Sequence, residues 1–338
     1  MDVHNAAQRL LEVMEGRCHC GEDVWRSVLN REAVHLQNRN SLPVATELAR
    51  NALRQLEIDG IAVFPLSALA GGNSLLDQLI EQMNQAIRAG SGKIRAQREA
   101  LRSGDEHYKD YLVQLDLTPD SYLPYDAPPV LFALHPELLA IVNAYQRMYT
   151  ELRKLEFWYT VPHLTQRPRY SQLWHRDPED MSVVKAFLYL GDVGGESGPF
   201  WFARGTHRGD LRWRDPPAIR RRQTNRATDE EIEAIVSRER WVVATGSAGT
   251  VILAATKGYH RGGLATGTDR RLLTATYLSR WCRNVQLPEP VLGISPDAHD
   301  AVRFAGRFTE RSKVPYKRFA EVTRAVVVGA GPADCGGR

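Results

Sequence analysis

"SQLWHRDPED", residues 171–180, sets a histidine and an aspartate two positions apart, behind a tryptophan and ahead of Pro178. In a strand, residues i and i+2 face the same side, so His175 and Asp177 converge while Arg176 points away. Burying an ionised carboxylate beside an imidazole costs on the order of several kcal/mol of lost solvation unless a cation balances it. The spacing therefore points to a metal ion.

Outward from this stretch the texture is that of short strands. "LEFWYTV", "SVVKAFLYLGDV", "GPFWFARGTH", "RWVVATGSAGTVILAATKGYH" and "RRLLTATYLSRW" are rich in β-branched and aromatic residues and are separated by Gly, Pro, Asp or Asn. Such runs predict an antiparallel sandwich or jelly roll from about residue 154 onward. Upstream the pattern is helical. "AAQRLLEVM", "ATELARNALRQLEI", "SLLDQLIEQMNQAIRAG" and "HPELLAIVNAYQRMYTELRKL" repeat apolar residues at intervals of three and four, and "GIAVFPL" at 60–66 is the first β-like run. The chain thus reads as α+β with a mainly β core. We expect a helical N-terminal extension over 1–57, a catalytic domain over 58–315 with an insertion at about 208–240, and a tail over 316–338 that ends in "GAGPADCGGR". Within the insertion, Thr228 followed by Glu231 has the spacing of a capping box.

Bulk properties narrow the partners. The 338 residues are 43% apolar and 25% charged, as in an ordinary soluble globular protein. A net charge of +4, from 44 basic and 40 acidic residues, is too balanced to announce nucleic acid or an anionic membrane. The N-terminus lacks a secretory pattern, and no apolar run approaches the roughly 20 residues that span a bilayer, so we expect a cytoplasmic protein acting on a small molecule. Cys18, Cys20, Cys282 and Cys335 do not form a disulfide framework, and Cys18-His19-Cys20 lacks the second ligand pair of a structural zinc site.

One histidine and one aspartate leave a metal site incomplete. Downstream of Asp177 the chain offers His207, His260 and His299. His299 sits in the polar turn "SPDAHD" and His207 ends the turn-like "RGTH", whereas His260 follows the apolar run "GTVILAATKGY" at the mouth of a strand. His260 is the best third ligand. Two imidazoles and one carboxylate make the facial triad of non-haem iron(II) oxygenases, which leaves three coordination positions for cosubstrate and dioxygen.

The ordered set "WHRD", "VKAFLYLGDVGGESGPFWFARGTH", "GYHRGG" and an arginine-led strand resembles the phytanoyl-CoA dioxygenase-like family of iron(II)- and 2-oxoglutarate-dependent oxygenases, over roughly residues 58–281. The resemblance implies a double-stranded β-helix, a cupin-like jelly roll with flanking helices, and iron held by His175, Asp177 and His260. It also implies an arginine on the strand after the distal histidine, gripping the far carboxylate of 2-oxoglutarate. Arg270 and Arg271 compete for that role, and adjacent strand residues face opposite ways, so one points inward. In the family this arginine usually precedes an aromatic residue by seven positions, which matches Arg270 to Tyr277. The chain departs from the family at "ARGTH" (203–207) and at Gly262, where a hydroxyl residue often stands. Gln172 and Thr206 are candidate polar residues of the cosubstrate wall.

A protein-kinase reading of "HRD" fails, because Ser182 stands where the asparagine would follow and no glycine-rich phosphate loop precedes it. Halogenating relatives lack the carboxylate ligand, so Asp177 favours hydroxylation or a related oxidation. The rivals are a cupin-like metal isomerase, lyase or hydrolase that uses no oxygen, and a jelly-roll binding module. Neither needs a carboxylate clamp at Arg270 or Arg271. The arginine run "AIRRRQTNR" (218–226) reads as a solvated face or an anion contact, and Trp174, Trp201 and Tyr259 as sandwich packing or as walls of a substrate pocket.

Overall fold

The computed structural model describes residues 20–103, 111–117, 123–163, 167–208, 215–217, 219, 224–282 and 291–306. The expected tail over 316–338, Cys18, Cys335 and most of the arginine run lie outside the described residues. Among the described residues no helix is long and apolar enough to cross a membrane.

Thirteen strands are described: β1 (Ile61–Pro65), β2 (Leu112–Leu115), β3 (Leu123–Pro124), β4 (Glu151–Thr160), β5 (Trp174–His175), β6 (Val184–Tyr189), β7 (Phe200–Ala203), β8 (Arg226–Ala227), β9 (Trp241–Ala244), β10 (Thr250–Ala255), β11 (His260–Gly262), β12 (Arg270–Leu278) and β13 (Val291–Leu292). Two antiparallel sheets carry the fold. One has six strands in the order β1-β10-β6-β12-β4-β2, and the other has five in the order β8-β5-β11-β7-β9. β3 and β13 form a small parallel pair apart from both. The architecture is the double-stranded β-helix that the family resemblance implies, with helices on one side.

The period-two pattern of the six-stranded sheet sorts its side chains between two environments. On β4, Leu155, Phe157 and Tyr159 join the main core, as do Ala186 and Leu188 of β6 and Leu273, Ala275 and Tyr277 of β12. The helices Glu47–Asp59, Gly72–Ala89 and Pro136–Gln146 close that core with Leu56, Leu79, Met83, Leu138 and Ile141. The alternate residues face the other sheet, where Phe187, Tyr189, Ile252 and Leu272 pack against Phe200 and Phe202. The outer face of the five-stranded sheet is covered by the insertion. Ile232 and Val236 pack on Trp174, Ala203 and Tyr259 there, and the capping box is present, with Glu231 N donating to Thr228 Oγ1 and Thr228 N to Glu231 Oε2. Trp174 and Tyr259 are therefore packing residues of this outer cluster, with Trp201 and Trp241 beside them.

The helix Glu47–Asp59 runs across the expected boundary at 57/58 and ends at Gly60, whose φ of +84° suits glycine. A Cβ there would lie 2.3 Å from His207 Nδ1. The described part of the extension shares the main core: Trp25, Ala49, Ala52 and Leu56 are all buried in it. Trp25 Nε1 donates to Asp180 Oδ1 at 2.8 Å, and Asp180 also accepts from Met181 N and Ser279 N. The loop after Asp177 is thereby pinned from the N-terminal helices. Trp25→Phe keeps most of the packing and leaves part of a buried carboxylate unsatisfied, so it is expected to cost about 1–3 kcal/mol. The denaturant midpoint of the variant reads this, and an unchanged midpoint would show that the contact contributes nothing.

Candidate metal centre

Register brings the three candidate ligands together. His175 of β5 pairs with His260 of β11, and His260 in turn pairs with Phe202 of β7, so the two imidazoles stand side by side on the inner face of the five-stranded sheet. Their ring centroids are 4.3 Å apart. Asp177 follows on the loop out of β5, its N–H donating to Thr256 O at 3.0 Å. Asp177 Oδ1 is 4.0 Å from His175 Nε2, and Oδ2 is 3.6 Å from His260 Nε2. One ligand atom from each of the three lies within 4.8 Å of the others, and all three residues are buried. Among the described residues no other group of three or more such side chains could hold a metal ion. His207 is buried near Tyr145 and Gly60, away from the triad, and His299 Nδ1 accepts from Ala301 N at a helix start.

The ring tautomers suit a metal. His175 Nδ1 is 2.9 Å from Leu173 O and His260 Nδ1 is 3.0 Å from Gly258 O. A carbonyl only accepts, so each Nδ1 carries the proton and each Nε2 presents a lone pair toward Asp177. Burial lowers the pKa of both histidines. For His175 the neighbouring His260 adds to the effect, and in both Asp177 opposes it. Burial alone would raise the Asp177 pKa, but the Lys185 ammonium outweighs it and holds the carboxyl below its usual range. Lys185 is the neighbour that sequence reading missed: its Nζ lies 2.7 Å from Asp177 Oδ2 and 3.7 Å from Glu179 Oε1. Two neutral imidazoles and an ionised carboxylate are the donor set that a divalent ion needs.

These shifts fix how the metal-free protein responds to acid. A histidine with a lowered pKa in the fold takes up its proton first in the unfolded chain, near pH 6.5, so stability is complete above that value and falls as pH drops below it. Each such histidine contributes a slope of up to about 1.4 kcal/mol per pH unit. Denaturant midpoints of metal-free protein are expected to be level from pH 8 to 7 and to fall between pH 6.5 and 5. Equal midpoints at pH 7 and 5 would contradict the burial of neutral imidazoles.

A cavity of about 450 Å³ lies between the two sheets beside the triad. Its wall on the six-stranded sheet is ordered in rows by strand register. Trp158, Leu272 and Tyr189 form one row, Glu156, Thr274 and Phe187 the next, and Lys154, Thr276 and Lys185 the last. Arg270, paired with Thr160, lies beyond the first row, and Arg270 and Thr276 are six residues apart along β12, about 20 Å. One end of the inner face is thus an arginine, the middle is aromatic, and the other end is charged.

The two arginines part as alternation requires. Arg270 is buried and lines the cavity, its Nη1 donating to Gly198 O, while its Nε has no hydrogen-bond partner. Arg271 points to the other face, where its Nε meets Asp269 at 2.9 Å and its Nη1 meets Asn84 at 3.3 Å. Gly262 stands next to Arg270: a Cβ there would lie 3.6 Å from Arg270 Nη2. Hydroxyls on that side come from Ser171 and Tyr111, joined at 2.6 Å, which the sequence did not single out. Thr206 and Gln172 make local bonds and do not line the cavity. Thr206 Oγ1 donates to Ala203 O and accepts from Tyr259 N, and Gln172 Oε1 accepts from Arg169 N. Of the arginine-rich stretch, Arg226 of β8 pairs with His175 and reaches the cavity wall.

A two-sheet β-helix with two histidines and an aspartate facing its interior defines a metal-binding enzyme scaffold. Residues 133–272, the stretch that holds the whole triad and Arg270, match the family model of phytanoyl-CoA dioxygenase (PhyH). Among solved structures, it is similar to the α-ketoglutarate-dependent carbocyclase SnoK of nogalamycin biosynthesis, at 17% identity and a TM-score of 0.43, covering 72% of this chain and 94% of that one. HygX from Streptomyces hygroscopicus, with nickel and 2-oxoglutarate bound, shows 18% identity and a TM-score of 0.39 over 68% of this chain and 87% of that one. EctD from S. alaskensis, with 2-oxoglutarate and 5-hydroxyectoine, shows 17% identity and a TM-score of 0.43 over 76% of this chain and 83% of that one. No curated protein matches the chain.

Proposed function

We propose that the protein is an iron(II)- and 2-oxoglutarate-dependent dioxygenase that oxidises a small molecule. The observation that carries this reading is the shared cavity of a buried His-Asp-His set and a buried arginine whose Nε lacks a partner. A jelly-roll binding module or a metal lyase would bury Arg270 there at a desolvation cost with no anion to offset it, only the carbonyl of Gly198. His175, Asp177 and His260 would hold the iron. Arg270 would take the far carboxylate of 2-oxoglutarate with its planar, always-charged fork. Bound at the triad, iron(II) with 2-oxoglutarate supplies the oxygen activation that oxidises a substrate C–H bond, with succinate and carbon dioxide as the coproducts.

The chain's own residues do the rest. The carbonyls of Leu173 and Gly258 fix the imidazole tautomers, and Lys185 keeps Asp177 ionised. Trp158, Phe187 and Phe200 wall the middle of the cavity and keep water from it. Lys154, Glu156, Glu179 and Lys185 line the end away from Arg270, which makes that end the substrate side and suits a hydrophilic molecule better than a long hydrocarbon. The protein would work in the cytoplasm. The test is succinate formation by iron-loaded protein given 2-oxoglutarate and a panel of small polar and apolar compounds. A polar compound is expected to stimulate succinate release and to appear oxidised. Failure to consume 2-oxoglutarate under any condition would reject the reading.

A further inference from the structure

We propose that Lys185 is a positioning residue for the metal: its ammonium competes for Oδ2 of Asp177, so that the carboxylate offers the ion one oxygen rather than two. The inference rests on the reading of the triad as an iron and 2-oxoglutarate site. Its observations are geometric. Lys185 Nζ is 2.7 Å from Asp177 Oδ2, with the two side chains only 15% and 8% exposed. The lysine backbone sits inside the six-stranded sheet, paired with Ala254 of β10 on one side and Thr276 of β12 on the other, so its anchor cannot drift. Glu179, 3.7 Å from the same ammonium and 3.7 Å from Lys154, gives it a second anion when the charge of Asp177 is shared with a metal.

Coordination arithmetic gives the contact its use. Two imidazoles and one carboxylate oxygen leave three of six positions open, and a chelating oxoacid takes two of them. A carboxylate that turned to bind through both oxygens would consume the last. An ammonium so close to the ion repels it, so affinity alone does not explain a buried lysine here. Holding one oxygen back does. Such outer contacts on metal ligands typically change affinity by about 10- to 100-fold when removed. Here the repulsion lost with the lysine offsets the effect on the metal itself and leaves the cosubstrate to report it.

Cobalt(II) serves as the spectroscopic probe in the full-length protein, with Lys185→Met and Lys185→Arg as variants. Lys185→Met is expected to bind cobalt(II) at least as tightly as the parent, to change the intensity of the visible cobalt bands, and to lose about tenfold or more in 2-oxoglutarate affinity. Lys185→Arg is expected to restore the parent's bands and most of its 2-oxoglutarate affinity. Parent-like bands and affinity in Lys185→Met would overturn the proposal. So would loss of cobalt binding in a Lys185→Met protein that keeps its circular dichroism and melting temperature, since the lysine would then be needed to hold the metal at all. Should Lys185→Met not fold, Lys185→Gln is read by the same criteria. A parent that binds cobalt but not 2-oxoglutarate rejects the underlying function instead.

Discussion

Asp177→Ala, His175→Ala and His260→Ala are each expected to lose metal affinity by more than about 100-fold, because even outer partners of metal ligands typically cost 10- to 100-fold. Turnover should vanish with the metal. The fold should remain, since the triad sits between sheets held by separate clusters built from Leu155, Phe157, Leu273 and Tyr277 on one side and Trp174, Tyr259 and Ile232 on the other. Asp177→Ala also strands the Lys185 ammonium with only Glu179 at 3.7 Å, so it is expected to be the least stable of the three. Equilibrium titration with iron(II) or cobalt(II), run beside circular dichroism, separates loss of metal from loss of fold. A folded Asp177→Ala protein with parent-like metal affinity would remove the triad from the account.

The second large effect concerns the cosubstrate. Arg270→Ala removes a buried guanidinium from the cavity, and losing one partner of a buried charge pair typically costs about 2–5 kcal/mol, well over tenfold in affinity. Arg271→Ala is expected to leave 2-oxoglutarate affinity within about twofold, because that side chain is half-exposed on the opposite face and engaged with Asp269 and Asn84. Titration of each iron-loaded variant under nitrogen reads the ranking. The reverse order would transfer the clamp to Arg271.

Much of this was legible before any coordinates. The spacing of His175 and Asp177 rests on strand periodicity, and the isolation of His260 behind an apolar run rests on local pattern. Both depend on neighbours in sequence. Alternation along the strand required that only one of Arg270 and Arg271 face inward, and the favouring of Arg270 came from its seven-residue spacing to Tyr277 in the family resembled. The insertion helix announced itself through Thr228 and Glu231, whose bond is local too.

What escaped reading depends on distant partners. Lys185 lies in "SVVKAFLYLG", where a lone lysine in an apolar run looks like a solvent-facing residue. Its burial beside Asp177 is set by pairing with β10 and β12, some 70 and 90 residues away. Trp25 reads as part of a separable extension, yet its indole bonds to Asp180, 155 positions on. Tyr111 and Ser171 meet across 60 residues, with Ser171 lining the cavity near Gly262. Thr206 and Gln172 carried suitable chemistry in suitable places, but backbone groups of their own turns engage them.

If one cavity binds iron and 2-oxoglutarate together, calorimetric titration of 2-oxoglutarate into anaerobic protein must give different results with and without iron(II). Saturable binding of one molecule per chain is expected in the iron-loaded protein, and binding weaker by at least about tenfold without the metal, since a chelating ligand loses its metal contact. Absence of binding to the iron-loaded protein, or binding that is equally tight with the metal left out, would contradict it.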